Sequence, residues 1–87
     1  MNIIFSPQAA EDYAYWEEHA PEKVRRIHTL IREIRRNPFA GAGKPEALHS
    51  ALRGFWSRRI DAEHRLVYRF RDNDLLVAQM RYRYGEP

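Results

Sequence analysis

Cysteine is absent from this chain of 87 residues. Its absence excludes a disulfide framework and thiolate ligation of zinc, two devices that stabilise many short domains. Stability must therefore come from packing, and a hydrophobic fraction of 44% with 13% aromatic residues is sufficient for a folded core. We expect a single domain over residues 1–87, because two cores in so short a chain would each be too small to offset the conformational entropy of folding.

Long apolar runs are missing as well. The N-terminal apolar stretch Ile3–Phe5 stops at Ser6-Pro7, and the hydrophobic core of a signal peptide needs about 7 to 15 residues. No later run approaches the roughly 20 residues that cross a bilayer. The sequence therefore predicts no membrane association and a cytoplasmic location.

Several motifs that carry chemistry are also absent. The sequence has no phosphate-binding glycine loop with its lysine, no dinucleotide-binding fingerprint and no closely spaced His and Glu ligands for zinc. The converging carboxylates of a metal-dependent nuclease cannot be assembled from it either. We therefore expect neither a metal nor an organic cofactor.

Basic residues are missing from the first 22 positions, which hold five acidic residues. Residues 23–87 hold fifteen Lys and Arg against seven Asp and Glu, and thirteen of the fifteen are arginine. A guanidinium contacts phosphate at two points and stacks on bases. This distribution favours a polyanionic partner, RNA in particular, with a merely solvated charged surface as the alternative.

Two amphipathic helices are predicted in the N-terminal half. A short strand over Asn2–Phe5 should pass into a helix, since Ser6 is a suitable N-cap and Pro7 a suitable first residue. Pro21 should break or restart this helix, and the second helix should end near Asn37. The apolar positions recur with helical spacing: Ala9, Tyr13, Trp16 and Ala20, then Val24, Ile27, Ile31 and Ile34. The acidic residues of the first helix should lie largely off the apolar face: Glu11, Asp12, Glu17 and Glu18.

The C-terminal half changes to an alternation of period two. Two Pro and two Gly within residues 37–45 predict a loop, and strands are predicted over 55–60, 65–71 and 75–84. In the middle strand one face is apolar and should meet the helices, through Leu66, Tyr68 and Phe70. The other face should be a largely basic surface: Arg65, Val67, Arg69 and Arg71. The predicted fold class is α+β, with an N-terminal β-strand, two α-helices and an antiparallel β-sheet meander.

Metal-free cleavage of RNA is the chemistry that remains open. It needs a base for the 2′-hydroxyl proton, cations for the pentacoordinate phosphate and an acid for the departing 5′-oxygen. A Glu in a Gly/Pro-rich loop, arginines on an adjacent sheet face and a terminal tyrosine could meet these needs.

Three sequence blocks resemble a known family. They are GAGKPE at 41–46, GFWSRRI at 54–60 and EHRLVY at 63–68, and they closely resemble the YoeB/Txe family within the RelE/ParE toxin superfamily. The resemblance extends in the same order over residues 1–84, including Asp12-Tyr13, Tyr15-Trp16 and Asn37-Pro38-Phe39. It implies a RelE-like domain that cleaves mRNA in the ribosomal A site and is neutralised by a YefM-like antitoxin, an acidic and partly disordered protein.

The resemblance also implies further partners. The toxin-antitoxin complex would repress its own operon, so operator DNA would be contacted only through that complex. A homodimer is compatible with the resemblance, although the sequence does not fix the oligomeric state.

The resemblance assigns catalytic roles residue by residue. Glu46 matches the family's general base and Arg65 matches the arginine that stabilises the phosphate. The family's usual penultimate His, its general acid, is replaced here by Arg83, which stands beside Tyr84. Arginine stays protonated and cannot readily donate a proton to the leaving oxygen, so the acid step departs from the family pattern.

Three outcomes of this departure stay open at the level of sequence. Water or a ribosomal group protonates the leaving oxygen, His49 substitutes as the acid, or the nuclease is weakened. His49 occupies a position where the family commonly has a phosphate-contacting Lys, and Lys44, His49 and Arg59 are the predicted RNA-binding residues. Related toxins of the RelE type use Arg, Lys and Tyr without a histidine acid.

Alternative interpretations of these residues are structural. Glu46 could be a surface carboxylate paired with Lys44, and Arg58 with Arg59 could be edge-strand charges that discourage aggregation. At the level of function, the alternatives are a catalytically weak ribosome- or RNA-binding protein that keeps its antitoxin contacts, and a purely protein-binding module.

Overall fold

The structure, a computed structural model, describes residues 1–82. Two helices are followed by the larger part of a five-stranded sheet. In chain order the elements are β1 (Asn2–Phe5), α1 (Pro7–His19), α2 (Pro21–Arg36), β2 (Glu46–Ala47), β3 (Trp56–Arg59), β4 (Arg65–Arg71) and β5 (Asp74–Gln79), with a short 3₁₀ turn at Ser50–Leu52. The predicted α+β class and order of elements are confirmed.

The helices begin and end where the sequence predicts. The Ser6 hydroxyl accepts a hydrogen bond from the backbone N–H of Ala9 at 3.0 Å and so caps α1. Pro7 and Pro21 each stand at the start of a helix, where a missing N–H is tolerated. Within residues 1–82, neither helix is long and apolar enough to cross a membrane.

The sheet has the strand order β1-β5-β4-β3-β2, so β4 is central. Strands β2 to β5 pair antiparallel in succession, which is the predicted meander. β1 pairs with β5 in parallel, with Ile3 opposite Leu75. β1 is an edge strand because β5 is its only neighbour in the sheet, and two of its side chains, Ile3 and Ile4, stay 38% and 44% exposed.

The core lies between the two helices and one face of the sheet. Leu66 and Tyr68 of β4 are fully buried there, as predicted, and Phe70 packs against the same cluster. The main contributions from the helices are Ala9, Trp16, Ile27, Leu30 and Ile34. Burial of these apolar side chains is the principal stabilisation of a chain without disulfides.

One predicted surface position is wrong. Asp12 is 2% exposed, and its Oδ2 accepts a hydrogen bond from the Met80 N–H at 2.9 Å. Gln8 donates to Oδ1 at 2.8 Å. The carboxylate is buried because it satisfies a backbone donor at the end of β5, a role that helical periodicity cannot reveal.

One strand ends earlier than predicted, and another was not predicted. β5 ends at Gln79, whereas a strand was predicted over 75–84; residues 80–82 lie outside the sheet, and 83–84 lie outside the described residues. Glu46 does not belong to the loop but opens the two-residue strand β2, where it lies opposite Ser57. Backbone pairing with β3 thus fixes its position.

Gly43 lies where the loop before β2 crosses the core. Its φ is +85°, and a Cβ there would meet Leu30 Cδ2 at 2.9 Å and Arg59 N at 3.2 Å. Gly54 has a φ of +95° but nothing within 4 Å of such a Cβ. The two glycines therefore separate the effect of backbone conformation from the effect of crowding.

We expect Gly43→Ala to lower the free energy of unfolding by about 2 to 3 kcal/mol, because it adds a clash to a left-handed backbone. Gly54→Ala should lower it by only about 1 kcal/mol, since it carries the conformational penalty alone. Urea unfolding of both variants checks this, and equal losses would show that Gly43 is not crowded.

Candidate active site

A polar cleft of about 180 Å³ lies beside the β3–β4 hairpin. It is lined by six residues: Lys44, Pro45, Glu46, Ser57, Arg59 and Arg65. The strand register explains this grouping, because Glu46 lies opposite Ser57 and Arg59 lies opposite Arg65. Alternation puts these side chains on the sheet face away from the helices. One carboxylate thus shares a small cleft with three cationic side chains.

Glu46 is exposed at this cleft. Its backbone belongs to β2, which adds to β3 as the last strand of the sheet. The sequence predicted Glu46 on a loop, whereas in the structure its backbone pairs with Ser57. This pairing holds Glu46 at a defined distance from the strands that carry the arginines of the cleft. A carboxylate at such a place can accept a proton from a bound hydroxyl group.

Arg65 is the first residue of the central strand and is only 5% exposed. Its Nη1 donates to three backbone carbonyls, those of Asp61 at 2.9 Å and of Ala62 and His64 at 3.2 Å each. The guanidinium is therefore held rigidly by the β3–β4 turn. A fixed cation that needs no reorganisation is well suited to stabilise negative charge that develops in a reaction.

Lys44 and Arg59 complete the positive wall of the cleft, and both are exposed. Lys44 adopts a φ of 51°, a left-handed conformation, just before Pro45. The backbone around Arg59 is fixed on both sides: its N–H donates to the Gly43 carbonyl at 2.7 Å, and its carbonyl accepts from Arg26 Nη2 at 3.1 Å. Two exposed cationic side chains thus stand on a well-anchored backbone.

The structure does not place every predicted site residue in this cleft. His49 does not line this cleft but a neighbouring pocket of about 370 Å³, together with Glu46, Ala47, Leu48 and Leu52. Arg83 and Tyr84 lie outside the described residues. Within residues 1–82, no group of three or more His, Asp or Glu side chains is arranged to hold a metal ion.

The basic sheet face is only partly as predicted. Val67 has no exposed surface, and the guanidinium of Arg69 lies 5.2 Å from the ring centroid of Phe55. Phe55 comes from the segment before β3 and covers part of the face that the sequence suggested to be open. The basic face is therefore interrupted in the middle of β4, between the cleft at the β3–β4 end and Arg71, which is exposed at the other end of the strand.

Arg58 has a role that sequence reasoning missed. It is fully buried and donates to the backbone carbonyls of Asn37, Ala40 and Ala42. Its Nε also donates to the hydroxyl of Tyr68, which in turn donates to the Pro38 carbonyl at 2.9 Å. Arg58 is therefore the residue that folds the loop 37–45 onto the sheet, and this loop leads directly to Glu46.

Burial raises the pKa of the Tyr68 hydroxyl, against the smaller opposing effect of the Arg58 guanidinium. Tyr68 therefore remains a neutral hydrogen-bond donor throughout the physiological pH range.

The burial of Arg58 could have been predicted from the sequence. The alternation Trp56, Arg58, Ile60 puts Arg58 on the same face of the strand as two large apolar residues.

Asp61 shapes the turn that leads into Arg65. Its Oδ1 accepts from the N–H groups of Glu63 at 2.8 Å and His64 at 2.7 Å, and its Oδ2 pairs with the Lys23 ammonium at 2.9 Å. Partial burial acts to raise the pKa of Asp61, but the hydrogen bonds from Lys23, His64 and Glu63 outweigh it and lower the pKa below 3.8.

We expect Asp61→Asn to lose about 0.5 to 1 kcal/mol of stability at neutral pH, since it keeps the Oδ1 acceptor but loses the ion pair with Lys23. A carboxyl with a depressed pKa stabilises the fold above its unfolded pKa, and this contribution is lost as the pH falls through the folded value. The difference between parent and variant should therefore vanish in the acid range. Urea unfolding from pH 7 downward checks this, and a difference independent of pH would contradict it.

Comparison with known proteins places this fold and cleft in a defined group. Residues 5–84 match the family model of the YoeB-like toxin of bacterial type II toxin-antitoxin systems. Toxin YoeB of Escherichia coli K12 is 51% identical over 84 residues, which is 97% of this chain and all of that protein.

Solved structures agree in fold over nearly the whole chain. The YoeB/ParE toxin from Agrobacterium tumefaciens has a TM-score of 0.93 at 43% identity, over 97% of this chain and 100% of that one. YoeB of Staphylococcus aureus, 48% identical, was solved in complex with YefM (TM-score 0.89) and as a dimer (TM-score 0.90), each over 97% of this chain and 98% of that one. With a family model that spans the described cleft, the chain belongs to the YoeB-like toxins of bacterial type II toxin-antitoxin systems.

Proposed function

We propose that this toxin is an endoribonuclease that cleaves mRNA in the ribosomal A site and so inhibits translation. The observation that carries the proposal is the cleft itself, where the carboxylate of Glu46 lies among Lys44, Arg59 and Arg65. A general base beside a fixed guanidinium and two further cationic side chains is an arrangement suited to RNA transesterification. The reaction requires no metal, because RNA supplies its own nucleophile.

In this mechanism Glu46 removes the proton of the 2′-hydroxyl. The 2′-oxygen attacks the adjacent phosphorus, the bond to the 5′-oxygen breaks, and the products carry a 2′,3′-cyclic phosphate and a 5′-hydroxyl. Arg65 stabilises the additional negative charge of the pentacoordinate phosphate, helped by Lys44 and Arg59, which bind the RNA backbone.

The leaving 5′-oxygen must gain a proton. Arg83 stabilises the phosphate but keeps its own protons, because the guanidinium pKa is far above working pH. His49 lines the pocket beside the cleft, together with Glu46, rather than the cleft that contains Arg65. We therefore favour water or a ribosomal group as the proton donor, with Tyr84 orienting the base or phosphate.

The partners follow from the family. We propose that a YefM-like antitoxin neutralises the toxin, as the S. aureus complex suggests for its own pair, and that the toxin also forms a homodimer. An acidic antitoxin segment would be attracted by the cations around Arg65. The protein would act in the cytoplasm, where ribosomes are present, and would reach operator DNA only within the antitoxin complex.

A second candidate function is a toxin that binds the ribosome without cutting. It is favoured by a single feature, the arginine at position 83 in place of a proton donor. Such a protein would inhibit translation and leave the message intact.

Primer extension on a reporter mRNA in a translation extract tests both candidates, with naked mRNA as the control. We expect cleavage at A-site codons only on the ribosome, and cleavage about 10- to 100-fold faster with Arg83→His, because an imidazolium can act as the general acid. Inhibited translation with uncut mRNA in the parent would favour the binding-only toxin. Cleavage of naked mRNA at the same rate would exclude dependence on the ribosome.

A further inference from the structure

Ser57 lines the cleft but has no part in the mechanism proposed above. It belongs to β3, where it lies opposite Glu46 of β2 on one side and opposite Val67 of β4 on the other. In the sheet, β3 separates the strand that carries the proposed base from the strand that begins with Arg65. The Ser57 side chain therefore stands in the cleft between the base and the cation that the reaction uses.

The hydroxyl group of Ser57 is buried without a partner. The residue is only 2% exposed, and within residues 1–82 its hydroxyl forms no hydrogen bond. The partly buried hydroxyl of Ser6, by contrast, accepts from the N–H of Ala9 and donates to the carbonyl of Ala78 at 2.6 Å. Buried polar groups are nearly always hydrogen-bonded, because burial removes the water that would otherwise bind them. A bound ligand could supply the missing partner of Ser57.

The side chains around Ser57 show what kind of partner is missing. Val67, across the pairing with β4, is apolar and fully buried. Arg59, two positions along β3 on the same face, has only donors to offer. The carboxylate of Glu46 is an acceptor, but the proposed mechanism uses it for the proton of the 2′-hydroxyl. The partner that Ser57 lacks is therefore an acceptor that enters the cleft with the substrate.

A phosphate group meets this description. Its non-bridging oxygens only accept hydrogen bonds when the group is ionised, and three cationic side chains in the cleft attract it, those of Lys44, Arg59 and Arg65. Lys44 and Arg59 are exposed and have long, flexible side chains. Ser57 differs from them, because its short side chain stands on the backbone of a strand that is paired on both sides. It can therefore donate a hydrogen bond in a fixed direction, as an oxyanion hole does.

We propose that Ser57 is a further catalytic residue, whose hydroxyl donates a hydrogen bond to a non-bridging oxygen of the scissile phosphate. These oxygens carry more negative charge in the pentacoordinate state, so the hydrogen bond becomes stronger as the 2′-oxygen attacks. Ser57 keeps its proton throughout and forms no bond to phosphorus. This inference rests on the proposed ribonuclease function, since it names one more contact between the same cleft and the RNA.

Ser57→Ala removes the hydroxyl and little else. We expect the single-turnover rate of cleavage of ribosome-bound mRNA to fall by about 10- to 100-fold, the effect of one lost hydrogen bond to a developing charge. Affinity for the ribosome should be unchanged, because the contact gains its strength in the transition state. Stability in urea should be equal to that of the parent or higher, because the variant no longer buries a hydroxyl without a partner.

Ser50→Ala is the matched control for the loss of a hydroxyl. Ser50 is exposed in the 3₁₀ turn and does not line the cleft. Its replacement should leave both the cleavage rate and the affinity for the ribosome at the parent values.

Messages with a single phosphorothioate at the scissile position test the contact itself. Sulfur is a weak hydrogen-bond acceptor, and each of the two diastereomers replaces a different non-bridging oxygen. The parent should cut the diastereomer with sulfur opposite Ser57 more slowly than the all-oxygen message. On that diastereomer Ser57→Ala should cost at most about threefold, against about 10- to 100-fold on the all-oxygen message and on the other diastereomer.

Two results would overturn the role of Ser57 while the parent still cleaves. Loss of the same size on all three messages would show that Ser57 acts only through the structure of the cleft. A Ser57→Ala toxin that cleaves at the parent rate would show that the hydroxyl does not contact the reacting phosphate. A parent that leaves the all-oxygen message uncut on the ribosome would instead overturn the proposed function, and with it the reaction in which Ser57 takes part.

Discussion

Replacing Glu46 with alanine should reduce cleavage of ribosome-bound mRNA by about 10² to 10⁴-fold, the contribution expected of a general base. Glu46 is exposed on the two-residue strand β2, and its side chain lines the cleft with Arg65. Truncation there removes no core packing, so stability should change by less than about 0.5 kcal/mol. The reaction should therefore be lost from a protein that is still folded.

Glu46→Gln and Glu17→Ala are the matched variants for this prediction. The amide of Glu46→Gln would keep the shape and hydrogen-bonding capacity of the side chain but could not accept the proton, so this variant should be as inactive as the alanine variant. Glu17 is an exposed carboxylate on α1, and its loss should leave the rate unchanged. A Glu46→Gln toxin that cleaves at close to the parent rate would assign the base to another group.

Replacing Arg58 with methionine should lower the free energy of unfolding by about 3 to 5 kcal/mol, because it removes the hydrogen bonds that a fully buried guanidinium donates, each worth about 1 kcal/mol or more. The variant keeps much of the side-chain volume, but it leaves the carbonyls of Asn37, Ala40 and Ala42 without their donor. The loop 37–45 would then be released from the sheet, and the Glu46 that follows it would be displaced, so cleavage should fall as well.

Arg59→Met is the natural control, since it removes the same charge one position along β3, on the opposite face. Its exposed side chain lines the cleft, so its loss should weaken binding of the RNA phosphates and leave stability within about 0.5 kcal/mol of the parent. Urea unfolding and single-turnover cleavage measured on both variants should separate the two arginines. Equal stability of the two variants would show that Arg58 does not organise the loop.

The contrast between Arg58 and Arg59 also shows how far the sequence could predict the site. Local patterns were sufficient for the helices, because Ser6, Pro7 and Pro21 mark their starts. The alternation in β4 correctly predicted that Leu66 and Tyr68 face the helices. It also put Arg65 at the start of the central strand, where the cleft forms.

Features that depend on contacts between distant segments were not predicted. Asp12 was expected at the surface because its partner, the Met80 N–H, is 68 residues away. The parallel pairing of β1 with β5 likewise joins the two ends of the described chain. Such contacts are set by tertiary packing, which overrides the local periodicity that sequence reasoning uses.

His64 illustrates the same limit at the site. The carboxylate of Asp61, and not the His64 ring, shapes the turn before Arg65, because it accepts the N–H groups of residues 63 and 64. The His64 side chain instead reaches Tyr82, a partner 18 positions along the chain. Only the pairing of β4 with its neighbours brings these residues together.

Cleavage of mRNA that carries a single 2′-deoxynucleotide at the scissile position tests the proposed chemistry most directly. The ribosomes are programmed with this message or with the all-ribose message, and the toxin is added to each under single-turnover conditions. We expect the ribose message to be cut at the A-site codon, with a 2′,3′-cyclic phosphate on the upstream product, and the 2′-deoxy message to stay intact at that position. Cleavage of the 2′-deoxy message at an equal rate would contradict attack by the 2′-hydroxyl and remove the role proposed for Glu46.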